Sequence, residues 1–300
     1  MMKIENLLPG FLDLINPETE IETVAEGFEF TEGPVWNSRE NKLFFSDIPA
    51  NTIYTWSESE GVQEYRKPSK YSNGMTYLPN GSLVMCEHQS RSVTITKDGK
   101  IQKAASTFKG KKLNSPNDVV CAEDGSIFFS DPIYGLRLGM GGPAEQELEF
   151  QGVFRIPPDE TIPLLITDTF ERPNGLAFNN DESRLYITDT VRQHIRLFRK
   201  DDHWQMAGGE VWVELWDDDY AGRPDGLKVD NQGNVFCTGP GGIWVFSPEA
   251  QLLGRIYLPD KTANLAWGED GHSLFITSSS KVYRIRCITA GTPPLDLFDS

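Results

Sequence analysis

Cysteine is scarce. The chain has four in 300 residues, Cys86, Cys121, Cys237 and Cys287, and no two form a Cys-x-x-Cys pair. That spacing argues against a zinc knuckle and suits a reducing compartment. Positive charge is also short: 28 Lys and Arg face 44 Asp and Glu, a formal net charge of −16 at pH 7. A surface of that sign repels phosphate backbones, so nucleic acid is not an expected partner. No apolar run approaches the roughly 18 residues of a membrane-spanning helix, and the first residues read poorly as a signal peptide. The expected setting is therefore cytoplasmic, with no membrane partner. Long stretches of helical periodicity are missing. So are Gly-x-Ser-x-Gly, His-Glu-x-x-His and Walker A patterns, which sets aside serine-triad and P-loop chemistry.

What the chain does have is a repeat. Short apolar runs such as Leu43-Phe44-Phe45 and Leu185-Tyr186-Ile187 end at Gly, Pro, Asn or Asp, which are strand and turn signals. Six segments share one pattern and begin at Glu32, Asn73, Asn117, Asn174, Asp225 and Ala263. These anchors lie 41, 44, 57, 51 and 38 residues apart, close to the length of a four-stranded propeller blade. A second run follows each anchor: apolar, apolar, small, then a variable residue 13 to 15 positions on. Turns such as Pro79-Asn80-Gly81 separate the two, so each unit reads as a β-hairpin. Six sheets that cannot bury both faces alone can do so packed radially. The expected fold is all-β, a six-bladed β-propeller with a central metal site, forming one domain over residues 1–300. Residues 1–20 read as an N-terminal extension, and Ile21 to Val24 as a strand that pairs with the last blade. Cys86 and Cys237 take the small position and are expected to fill blade interiors.

Innermost strands of a propeller run along the channel, so the anchors gather at one mouth. Five of the six carry Glu, Asn or Asp. Carboxylate and amide oxygens are the ligand set of a hard divalent cation, Ca²⁺ first, with Mg²⁺, Mn²⁺, Zn²⁺ or Fe²⁺ as alternatives. The returning strand puts Asp47, Glu87, Asp131, Asp189, Thr238 and Ser278 at the rim, with His88 and Tyr134 just beyond. These residues either cap turns or hold a polar substrate. The largest spacing includes a glycine-rich stretch, residues 135–152, expected as a loop inserted near the mouth and able to act as a lid.

The anchors also resemble those of the gluconolactonase and regucalcin (senescence marker protein) family. The similar stretches are Glu32-Gly33-Pro34-Val35-Trp36, Ser115-Pro116-Asn117-Asp118, Asp131-Pro132-Ile133-Tyr134-Gly135, Arg172-Pro173-Asn174-Gly175 and Arg223-Pro224-Asp225-Gly226. Cys86-Glu87-His88 resembles the bacterial gluconolactonase branch. The resemblance implies a divalent metal held by Glu32, Asn174 and Asp225, with Asn117 on metal or substrate. It implies hydrolysis of a small sugar lactone such as glucono-1,5-lactone to the aldonic acid, the metal polarising the carbonyl and Asp225 acting as general base. Asn117, His88 and Tyr134 would hold sugar hydroxyls, and Glu87 and Ser115 complete the expected substrate contacts. Ser115 stands where regucalcin-like members carry an arginine. The alternatives are hydrolysis of another lactone, ester or organophosphate, and a non-catalytic binding propeller.

Overall fold

The computed structural model describes residues 2–97, 99–201, 204–294 and 296; Met1 of the expected extension and the last residues of the expected domain lie outside it. Six sheets of four or five antiparallel strands form the blades, and a two-stranded ribbon accompanies them. Blades I to VI begin at the strands Thr31–Asn37, Ser72–Tyr77, Val119–Cys121, Pro173–Phe178, Leu227–Val229 and Thr262–Gly268. The repeat read from the sequence is thus the blade.

Alternation along the strands explains the ring. Phe44 and Phe45 are adjacent in the second strand of blade I and both are buried. Phe44 packs with Met75, Tyr77 and Met85 of blade II, while Phe45 packs with Trp36 and with Ala266 and Phe275 of blade VI. Successive side chains point to opposite faces of a strand, so one run serves two seams. Phe128 and Phe129 repeat this in blade III, toward blades IV and II. Each of the six seams holds its own apolar cluster. At the closing seam Trp36 stacks on Phe275, ring centroids 5.3 Å apart. Cys86 and Cys237 are free and buried in two of these seams.

Ile21–Glu26 pairs with Lys281–Arg286 and supplies the outer strand of blade VI, which locks the first part of the chain to the last. The segment before it is more than an extension. Lys3–Asn6 joins blade V as a fifth strand, and Phe11, Leu14 and Ile15 are buried in the seam between blades V and VI. Among the described residues, no helix is long and apolar enough to cross a membrane.

Candidate active site

In four of the blades the anchor region carries an irregularity of its strand. Register shifts fall between Glu32 and Val35, Ser72 and Met75, Pro173 and Leu176, and Thr262 and Asn264. A bulge re-aims a side chain, here into the channel. Neighbouring blades then fix the anchors to one another. Ser46 Oγ donates to the Asn73 carbonyl at 3.0 Å, and Thr188 Oγ1 to the Asp225 carbonyl at 2.8 Å. In blades I and IV the small position of the repeat therefore holds the anchor of the next blade.

Five of the anchors, all but Ala263, line a cavity of about 290 Å³ together with His88, Tyr134, Arg137, Met140, Thr190, Arg223 and Lys261. Their amides form a directed chain. Asn73 Nδ2 donates to Asn117 Oδ1 (2.7 Å), and Asn117 Nδ2 to Asn174 Oδ1 (2.6 Å). Asn174 Nδ2 in turn donates to Thr190 Oγ1 (3.0 Å). Glu32 Oε2 accepts from Gly33 N–H (2.8 Å) and from Asn264 Nδ2 (3.2 Å). Burial pushes the Glu32 carboxyl up to about 7, with Asp118 adding to the shift. Asp225 is held well above the usual carboxylate range, first by burial and then by Glu32 and Asp118.

His88 is buried, and burial lowers it to about 4. Its Nδ1 lies 2.9 Å from the Met140 carbonyl, an acceptor only, so Nδ1 carries the proton and Nε2 keeps a lone pair. That nitrogen is 3.4 Å from Asn73 Nδ2. Tyr134 is pushed up to about 12 by burial and by Asp225. The guanidinium groups of Arg172 and Arg137 stand 5.1 and 5.5 Å from its ring centroid.

Two expected substrate contacts are not on the cavity wall. Glu87 is buried against Arg66 (2.8 Å), Ser90 (2.6 Å) and Thr94 (3.2 Å). Ser115 donates to the Pro132 carbonyl (2.5 Å) and accepts from Gly135 N–H (2.9 Å), which commits its hydroxyl to the loop base. Asp47, Asp131 and Asp189 share one task. Asp47 accepts from the N–H groups of Glu29 and Phe30, Asp131 from Asn114, and Asp189 from Glu171 and Arg172. Each clamps the turn that leads into an anchor. The loop near the mouth is tied down along its length: His88 holds Met140, and Arg91 reaches the Glu145 carbonyl and Glu147.

A second polar layer below the anchors escaped the repeat. Where four blades have Gly33, Gly74, Gly175 and Gly226, blades III and VI have Asp118 and Asn264. Asn264 Nδ2 lies 3.3 Å from Asp118 Oδ2. A Cβ at Gly226 would stand 2.1 Å from Asn264 Oδ1, and one at Gly74 2.6 Å from Asp118 Oδ1. The glycines make room for this pair.

The residues suit a hard cation. Asp225 Oδ1 and Asn73 Oδ1 are buried acceptors with no hydrogen-bond partner. Such atoms call for a donor or an ion. Among the described residues no three His, Cys, Asp or Glu side chains are grouped to hold a metal. Any ion would therefore draw on amide oxygens besides Glu32 and Asp225. The opposite mouth opens on a cavity of about 220 Å³ walled by Met75, Val119, Leu176 and Trp267, without such a ring.

A closed six-bladed ring with a carboxylate-and-amide crown in its channel defines the class. Residues 30–280 match the family described as SMP-30/Gluconolactonase/LRE-like region. The chain belongs to that family. It is 34% identical to the gluconolactonase of Zymomonas mobilis, over 96% of this chain and 87% of that one. A pentonolactonase of Haloferax volcanii is 26% identical, over 83% and 81% of the two chains. The solved structure of a gluconolactonase from Xanthomonas campestris superposes with a TM-score of 0.89 at 30% identity, covering 95% of each chain.

Proposed function

We propose that this protein is a lactonase that hydrolyses a sugar lactone of the glucono-1,5-lactone type to its aldonic acid. The observation that carries the reading is the crown itself, with the buried, unpartnered Asp225 Oδ1 facing a cavity of sugar size. Family membership and the gluconolactonases similar to this chain support it.

Glu32, Asp225 and Asn174 would hold a divalent ion, Ca²⁺ in the first instance. When bound, the ion supplies Lewis-acid polarisation of the lactone carbonyl. Asp225 would take the proton of the attacking water, the charge of the ion offsetting the burial that raises its proton affinity. Its backbone is pinned by Thr188 and by Thr238, whose Oγ1 accepts from Asp225 N–H at 2.9 Å. Asn117 stands between the Asn73 and Asn174 amides and presents a fixed dipole to a sugar hydroxyl. His88, neutral with its proton on Nδ1, offers Nε2 as an acceptor beside it. Tyr134 lines the same cavity, close enough to Asp225 to feel its charge.

The test is proton release from glucono-1,5-lactone by metal-stripped protein, with each divalent ion added back in turn and spontaneous hydrolysis subtracted. Turnover restored by one ion and abolished in Glu32→Gln is the expected result. The same ion should raise the melting temperature of the parent and not of the variant. Ion binding without turnover of any glucono- or pentonolactone, neutral or anionic, would overturn the reading.

A further inference from the structure

Two residues before each anchor, the repeat reads Phe30, Tyr71 and Ser115 in blades I to III, then Arg172, Arg223 and Lys261 in blades IV to VI. One half of the mouth is thus neutral and the other half cationic. Arg137 of the loop joins Arg223 and Lys261 on the cavity wall, and Arg172 stands against the wall residue Tyr134.

Many arginines of the molecule are spent on carboxylates: Arg66 on Glu87, Arg155 on Asp124, Arg255 on Asp217 and Arg284 on Glu22. Among the described residues, Arg137, Arg172, Arg223 and Lys261 make no ion pair, in a chain with 44 acidic residues. Arg172 Nε is buried with no hydrogen-bond partner. Its guanidinium and that of Arg137 lie near the ring of Tyr134, itself a residue of the cavity wall. Lys261 acts electrostatically on Asp225 of the crown, and Glu32 and Asp225 line the same cavity. A divalent ion there would leave the mouth with positive charge to spare. Guanidinium groups are suited to bidentate capture of a carboxylate or phosphate.

We propose that the substrate is a sugar lactone with a second, anionic group, a carboxylate or phosphate remote from the lactone carbonyl, and that Arg223 and Lys261 receive it with Arg137 and Arg172. The proposal rests on the lactonase reading and narrows its substrate class.

The experiment compares kcat/KM for glucono-1,5-lactone, its 6-phosphate and a glucarolactone, on the metal-loaded protein and on an Arg223→Gln/Lys261→Gln variant. The expected result is a preference of tenfold or more for at least one anionic lactone. That preference should fall at least fivefold in the double variant, and rising salt should weaken it. Whichever anionic lactone is preferred identifies the group as phosphate or carboxylate. Turnover of the neutral lactone with no anionic preference, or a preference untouched by the variant, overturns the proposal alone. Failure to turn over any of the three overturns the lactonase reading and the proposal with it.

Discussion

The side-chain amide of Asn264 reaches across the channel floor to Glu32, Nδ2 to Oε2 at 3.2 Å. The same nitrogen lies 3.3 Å from Asp118 Oδ2, so one amide serves two buried carboxylates under the crown. Its own Oδ1 accepts from Leu265 N–H at 2.9 Å, which fixes the direction of the amide.

Replacing that amide should therefore cost more than an ordinary hydrogen bond. Asn264→Leu leaves two buried carboxylates short of a donor, each a penalty of about 1–3 kcal/mol. The expected loss in urea unfolding is about 2–5 kcal/mol, with the blades otherwise intact by circular dichroism. A loss below about 0.5 kcal/mol, the scale of a neutral surface change, would show that the floor is not held this way.

Two glycines with similar backbones make a controlled pair. Gly33 has φ +52° and Gly61 has φ +65°. Added at Gly61, a Cβ meets nothing within 4 Å, whereas at Gly33 it lands 1.9 Å from the Asn73 carbonyl oxygen. Gly61→Ala should cost the left-handed strain alone, about 1–2 kcal/mol. Gly33→Ala must also move the backbone that carries the next anchor, and should cost more than about 4 kcal/mol or prevent folding. Equal melting temperatures for the two variants would contradict the close approach of blades I and II.

Much of this was legible in the sequence because a propeller repeats itself. The hairpin period gave the blades, and the anchor position gave Glu32, Asn73, Asn117, Asn174 and Asp225 as one crown. Which way a rim side chain turns was not legible. Neighbours on a strand point to opposite faces, so Glu87, one residue from the wall-lining His88, turns toward Arg66 instead. Ser115 was drawn into a turn by the Pro132 carbonyl. Asp118 and Asn264 were hidden because Asn-Asp and Ala-Asn look like turn residues until glycine fills the same place in four other blades. The strand Lys3–Asn6 is too short to show alternation. Arg172, Arg223 and Lys261 did carry a signal, a constant offset of two from the anchors, which emerges once the anchors are aligned by blade.

Asp131 should make stability depend on pH. Burial pushes it up to about 7, against the pull of the Asn114 and Ser115 N–H groups. Its Oδ1 is buried without a partner. A carboxyl whose folded value lies above its unfolded one, about 4, stabilises fully below that lower value. That contribution is lost as pH rises through about 4 toward 7, with a slope of at most about 1.4 kcal/mol per pH unit. Asp131→Asn keeps an acceptor for Asn114 and removes the proton. Urea unfolding at pH 5, 6, 7 and 8 should show a shallower decline for the variant than for the parent. Parallel declines would mean that Asp131 does not hold a proton in the folded state.

Asp225 separates function from stability most sharply. Asp118 raises the proton affinity of Glu32, and Glu32 and Asp118 together raise that of Asp225. Thr188 and Thr238 hold the backbone of Asp225 independently of its side chain. Asp225→Asn is nearly isosteric, keeps those two bonds and removes one of the three mutually repelling groups. In chelator, where nothing offsets the repulsion, the variant should be at least as stable as the parent at pH 8. Its turnover of the best lactone should fall about 10²–10⁴-fold, the usual contribution of a positioned base. The two readouts must move apart. A variant that loses stability and activity together would make Asp225 a structural residue, and one that retains turnover would pass the role of base to another member of the crown.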